Sequence, residues 1–149
     1  MNELVVRAAT VADRGALIRL MSAQLEEHRL PVDADGIARG VELALAAGSS
    51  AWLVLATLAG IPAAALLGNP NVSVEKGGAV LWIDELYVEP RFRRRGIARA
   101  MVEWVAVEAR NAGMSSLELE VVRGMESAAA LWRSLGFEPL ERQRYSRNF

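Results

Sequence analysis

The chain has 149 residues, the size of one domain whose core needs neither disulfides nor a metal, and its 52% hydrophobic and 23% charged residues set it apart from disordered sequences. It holds no cysteine and one histidine, His28, which excludes a disulfide scaffold, thiolate metal sites, a multi-histidine metal centre and a cysteine nucleophile, and argues against a serine–histidine hydrolase. A net charge of −1 lacks the basic excess of a protein that works on nucleic acid.

Met1-Asn2-Glu3 carries neither the basic start nor the apolar run of a signal peptide. Residues 3–8 read as a strand. Thr10, with Asp13 three positions on, resembles a capping box and opens a helix to about Arg29; Leu17, Leu20, Met21 and Leu25 share one face of it and Pro31 lies beyond its end. Ile37, Val41, Ala44 and Leu45 mark a second helix, stopped at Gly48. No charge occurs between Glu42 and Glu75, yet Gly48-Ser49-Ser50, Gly60-Ile61-Pro62 and Gly68-Asn69-Pro70 break the run at spacings too short for a membrane span. Two buried strands, residues 51–58 and 63–67, explain it better. Asn69-Pro70-Asn71 and Gly77-Gly78 punctuate a polar connection to a strand over residues 79–88.

After Pro90 and a run of arginines, Gly96 opens a helix with Ile97, Met101, Trp104 and Val105 on one face, ended by Asn111 and Gly113. Residues 116–122 alternate, Leu117, Leu119 and Val121 against Glu118 and Glu120. Residues 125–135 form a short helix closed by Gly136, and residues 137–149 supply one or two last strands. The order is β-α-α-β-β-β-α-β-α-β, a single α/β domain over residues 1–149 without repeat or linker. It is expected to be soluble and cytoplasmic.

The richest chemistry lies in Val88-Glu89-Pro90-Arg91-Phe92-Arg93-Arg94-Arg95-Gly96-Ile97-Ala98-Arg99, which runs from a strand through an arginine-rich loop into a helix. A helix start offers unpaired N–H groups and partial positive charge, and Gly96 and Ala98 let an anion approach closely. The arginines alone suit a solvated basic loop equally well. Their place between strand and helix favours a pyrophosphate-bearing ligand, and neither a Walker lysine motif nor G-x-G-x-x-G follows any strand.

Arg93-x-x-Gly96-x-Ala98 after Val88-x-Pro90 resembles the acyl-CoA-binding signature of the GNAT family of N-acetyltransferases, and Ala128-x-x-Leu131-Trp132-x-x-x-Gly136-Phe137 resembles its second signature. The element order matches over essentially the whole chain. The resemblance implies a mixed central sheet flanked by helices, with fourth and fifth strands (about residues 81–88 and 117–122) splayed apart to receive pantetheine. It implies acetyl-CoA as co-substrate. Tyr87 and Val88 would bond the pantetheine, and the amides of Arg94, Arg95, Gly96, Ile97 and Ala98 would hold the pyrophosphate. The guanidinium groups of Arg93, Arg94 and Arg99 are candidates for its phosphates, and Trp132 would stand beside it or fill the core.

The implied reaction is direct attack of a neutral amine, on a small molecule or peptide, upon the thioester, so a base must take a proton. Strict alternation groups Trp82, Asp84, Leu86 and Val88 on one strand face. Asp84 is the first candidate base, by likeness to aminoglycoside acetyltransferases and on the expectation that burial shifts its pKa. Glu120 is the second, by likeness to ribosomal-protein N-terminal acetyltransferases. Glu85 falls on the other face and ranks below both; Trp82 stands where histone acetyltransferases carry glutamate. The family's tyrosine acid falls at Trp132 and the asparagine before it at Met125. A tryptophan donates no proton as an acid, but CoA thiolate is a fair leaving group, a free thiol having a pKa near 8.5. Tyr145 is the spare tyrosine.

His28 reads as a surface residue, and Glu26, Glu27, Asp33 and Asp35 form an acidic rim that attracts a cationic amine. The alternative function is an acyl-CoA-binding domain with little or no catalysis; a nucleic-acid binder is the weaker third. The partners implied are the amine acceptor and, as in many members of the family, a second copy of the chain, with neither nucleic acid nor membrane. No motif names the acceptor or the acyl chain.

Overall fold

Alternating apolar residues on five strands build two hydrophobic layers, one on each side of a single sheet. In the computed structural model, which describes residues 3–149, the strands are β1 (Leu4–Ala8), β2 (Trp52–Leu58), β3 (Ile61–Ser73), β4 (Gly78–Val88) and β5 (Ser116–Leu119), ordered β1-β2-β3-β4-β5. Neighbours from β1 to β4 are antiparallel, and β4 with β5 is parallel. Helices α1 (Arg14–Glu27) and α2 (Ala34–Leu45) cover one face and α3 (Ile97–Asn111) the other; α4 (Glu126–Ser134) follows β5.

The turn into α1 forms as its sequence suggests. The Asp13 carboxylate accepts the Thr10 N–H at 2.8 Å, and Arg7 of β1 donates to both its oxygens at 2.8 and 2.9 Å. The Arg7 bonds hold the Asp13 pKa down to about 2. Leu53, Leu55, Ala65 and Tyr87 then pack beneath Leu17, Leu20, Met21 and Val41, while Val54, Leu66, Leu81 and Ile83 pack beneath Ile97, Met101 and Val105. Each such large side chain, fully buried, contributes about 1.5–3 kcal/mol. Among the described residues no helix is long and apolar enough to cross a membrane.

Three expectations change. Asn69-Pro70-Asn71 is not a connection but part of β3, which continues to Ser73. Past Gly68, β3 has lost β2 as a neighbour, and such an edge tolerates a proline without an N–H. Strand β5 stops at Leu119, so Glu120 follows the strand and Val121 and Val122 are exposed. Residues 137–149 form no strand. Glu138-Pro139-Leu140-Glu141-Arg142-Gln143-Arg144 offers no apolar face to bury; the segment is tied instead by ion pairs from Arg142 to Glu75 and from Arg144 to Glu120, each at 2.8 Å.

The consequential feature is a bulge in β4. Pairing with β3 steps from Leu67–Glu85 to Gly68–Ile83, leaving Asp84 unopposed. An extra residue reverses the alternation beyond it. Leu81 and Ile83 before the bulge and Leu86 and Val88 after it all face α3, whereas Tyr87 faces α1 and α2. The single-face grouping of Trp82, Asp84, Leu86 and Val88 is thereby overturned.

Candidate active site

Only Val80 to Ile83 of β4 pair with β5, against Ser116 to Leu119. Beyond the bulge, residues 84–88 therefore present a free strand edge. The Glu89 N–H donates to Ala63 at 2.9 Å, so residues 87 and 89 turn their main-chain groups toward β3 and residues 86 and 88 turn theirs into the gap. That arrangement moves one expected contact. Tyr87 pairs with Ala65 and its ring is buried under α1, so Leu86 rather than Tyr87 joins Val88 on the open edge.

The loop after β4 has the geometry of an anion cradle. Arg94 and Gly96 take left-handed backbone angles, φ 62° and 76°, and no side chain caps α3. The first helical bond runs from the Ala100 N–H to Gly96 at 3.0 Å, which leaves Ile97, Ala98 and Arg99 with free amides. The amides of Arg94, Arg95 and Gly96 make no main-chain hydrogen bond among the described residues. A diphosphate fits this set of donors.

The arginines divide by partner. Arg93 donates through Nε to the Val88 carbonyl at 2.8 Å and through both terminal nitrogens to Glu27 at 2.8 and 2.7 Å. It is thus engaged at the end of α1 rather than turned to the anion cradle. Those bonds hold the Glu27 carboxyl below its usual range. Arg99 donates to Ser134 at 3.1 Å, and Arg94 and Arg95 enter no ion pair among the described residues.

A cleft of about 1330 Å³ runs between α3 and β5 on one side and α4 with the C-terminal segment on the other; Trp82, Asp84, Arg99, Glu120 and Trp132 all line it. Trp132 sits edge-on to Phe137, ring centroids 5.2 Å apart. Asp84 is exposed and accepts the side-chain amide of Asn69, so the expected burial is absent there. Glu120 is held by Arg144, whose guanidinium also lies 5.4 Å from the Trp82 ring centroid. Burial falls on Glu85 instead. It pushes that carboxyl up, the neighbouring Asp84 adds to the rise, and Gln24 offsets part of it.

A profile of the Acetyltransferase (GNAT) family matches residues 17–137. The chain belongs to this family. The GNAT chain is 35% identical over 60 residues to the thialysine N-epsilon-acetyltransferase of Caenorhabditis elegans, a stretch covering 40% of this chain and 38% of that protein. A possible acetyltransferase from Clostridium difficile 630 superposes with a TM-score of 0.87 at 20% identity, covering 98% of this chain and 97% of that one. The aminoglycoside N-acetyltransferase AAC(6′)-Iy in complex with CoA superposes at 0.85 with 18% identity, over 99% and 96% of the two chains. These two likenesses show the fold. Sequence reasoning about this GNAT site placed Glu27 in an acidic rim without foreseeing that it holds Arg93, and ranked Glu85 below Asp84 and Glu120. The first had no local signal; for the second, a glycine inside β3 was the available sign of a bulge.

Proposed function

We propose that the chain is an acetyl-CoA-dependent N-acetyltransferase acting on a primary amine of a small molecule or peptide. The observation that carries the reading is the free β4 edge at residues 84–88, which leads directly into the unpaired amides of residues 94–99 in a chain of an acetyltransferase family. Leu86 and Val88 would pair with the pantetheine arm, and the amides of Arg94 to Ala98, with the guanidinium groups of Arg94, Arg95 and Arg99, would take the phosphates. The bound thioester supplies an activated acetyl group. A carboxylate among Asp84, Glu85 and Glu120 removes the amine's proton as the C–N bond forms and the C–S bond breaks. Trp132 donates no proton to the departing sulfur, and a thiolate leaves without one near neutral pH.

The name of the Caenorhabditis elegans relative and that of the aminoglycoside enzyme both support a small-molecule amine as acceptor. A cytoplasmic location and a homodimeric assembly belong to the same reading. Titration of acetyl-CoA by calorimetry, followed by thiol release with a panel of amines, tests it. Saturable binding with amine-dependent release is the expected result. Binding without release from any amine would favour the acyl-CoA-binding domain; absence of binding would sink both.

A further inference from the structure

On the sheet face away from α3, a cavity of about 150 Å³ lies between α1, α2 and the strands, apart from the large cleft. Met21, Leu25, Val41, Leu53 and Leu67 make its walls apolar. Two polar groups line it: Gln24, 6% exposed, and Glu85. Glu85 enters no ion pair among the described residues, and the α2, β2 and β3 residues that line the cavity with it carry no charge. Glu85 is half-buried and has Gln24 as its polar neighbour, so its charge is only partly compensated and a cationic group entering the cavity would complete the pairing. Glu85 is also the second residue past the last β4–β5 pair, Ile83 with Leu119, and so stands where the free edge begins.

We propose that this cavity receives the acceptor: an unbranched alkyl primary amine whose chain lies against the apolar walls and whose nitrogen meets Glu85 beside the free edge of β4. This rests on the acetyltransferase reading above and narrows its substrate class. At about 30 Å³ for each water-sized group, the volume holds about five non-hydrogen atoms. In the step assigned to Glu85, the amine nitrogen bonds to the acetyl carbon, the C–S bond breaks and CoA departs as thiolate. The amine's proton passes to the Glu85 carboxylate and then to solvent. Burial, reinforced by Asp84 and partly offset by Gln24, keeps this carboxyl above its usual range. A base works only when deprotonated, so kcat climbs as pH rises through that raised value.

The test uses the purified chain, acetyl-CoA and the series from ethylamine to octylamine, with Glu85→Gln and Gly40→Leu. Gly40 of α2 lines the cavity, and a Cβ added there meets nothing within 4 Å, so a larger side chain can start from this position at the cavity's wall. In the native chain kcat/KM peaks near butylamine or pentylamine. Gly40→Leu moves the peak to shorter amines and lowers pentylamine turnover about 10-fold or more. Glu85→Gln lowers kcat about 100-fold and abolishes the rise with pH, while acetyl-CoA affinity by calorimetry stays unchanged in both variants. A peak that ignores Gly40→Leu, or a pH profile that survives Glu85→Gln, overturns the proposal. A second readout stands apart from turnover: in the CoA-saturated protein, pentylamine shifts the methyl resonances of Val41, Leu53 and Leu67 in the native chain and not in Gly40→Leu. Absence of those shifts overturns the pocket even where amines are acetylated, whereas absence of acetyl-CoA binding overturns the broader reading.

Discussion

Arg91, Arg93, Arg94, Arg95 and Arg99 look interchangeable in a sequence and are not. Arg91 pairs with Glu89 at 2.6 Å and lies 4.7 Å from the Phe92 ring centroid. Arg93 bridges Glu27 and the Val88 carbonyl, and Arg99 reaches Ser134. Arg94 and Arg95 remain beside unpaired amides with no acidic partner among the described residues, so their charge is available to a phosphate. A charge-assisted contact contributes about 1.5–3 kcal/mol. Arg94→Ala and Arg95→Ala are each expected to weaken acetyl-CoA binding at least about 10-fold by calorimetry, with a shallower dependence on salt and an unchanged Tm. Arg91→Ala, whose partner is already Glu89, should leave that affinity within about 2-fold. Equal losses at all three positions would mean that the loop acts as a diffuse basic patch.

A strand edge and a helix start are useful only when their backbone is held in place. Gly96 has φ 76°, and an added Cβ there meets no atom within 4 Å. The cost of replacing it is therefore conformational, about 1–2 kcal/mol for an L-residue in the left-handed region and more for a β-branched one. Gly96→Val should lower Tm and, by letting the loop relax away from this geometry, weaken acetyl-CoA binding at least about 10-fold; retained affinity in a destabilised variant would separate the turn from the anion site. Gly96 and the amides after it were legible in the sequence, as were α1, α2, α3 and their apolar faces, since glycine punctuation and helical spacing are local. The bulge was not, because strict alternation assumes an unbroken ladder. Its one sign was Gly68, read as a strand end; in the structure a Cβ there would stand 3.2 Å from the Leu81 side chain, which occupies the space a larger residue would need. One unopposed residue then took Asp84 out of the ladder and left it exposed beside Asn69, while Glu85 kept the face opposite Leu86 and Val88 and became the more buried carboxylate. The last strands failed for a different reason: the residues after Phe137 are mostly polar and exposed and bury no apolar face.

Across the whole molecule, β4 is the strand that meets both layers and both proposed ligands. Its α3 side leads to the anion cradle, and its α1–α2 side carries Glu85 and Tyr87. The Glu27–Arg93 pair ties these halves together, since Glu27 ends α1 and Arg93 grips the last carbonyl of the free edge. Both side chains are 39% exposed, so solvent screens the pair and its coupling in a double-mutant cycle of Glu27→Gln and Arg93→Gln should be about 0.5–1 kcal/mol, at the upper end because the contact is bidentate. For a chain of this size that corresponds to a Tm loss of about 1–4 °C in Glu27→Gln. The sign with pH follows from the lowered Glu27 pKa. A carboxyl held below its unfolded value stabilises the fold above that unfolded value and loses the contribution as pH falls through the folded one. The gap between native chain and Glu27→Gln should thus be constant through neutral pH and close on acidification. Because the same bond set fixes the Val88 carbonyl, Glu27→Gln should also raise KM for acetyl-CoA more than it lowers kcat. A purely structural pair would change Tm and leave that split untouched, and steady-state kinetics at pH 7 beside urea unfolding at neutral and acid pH distinguishes the two.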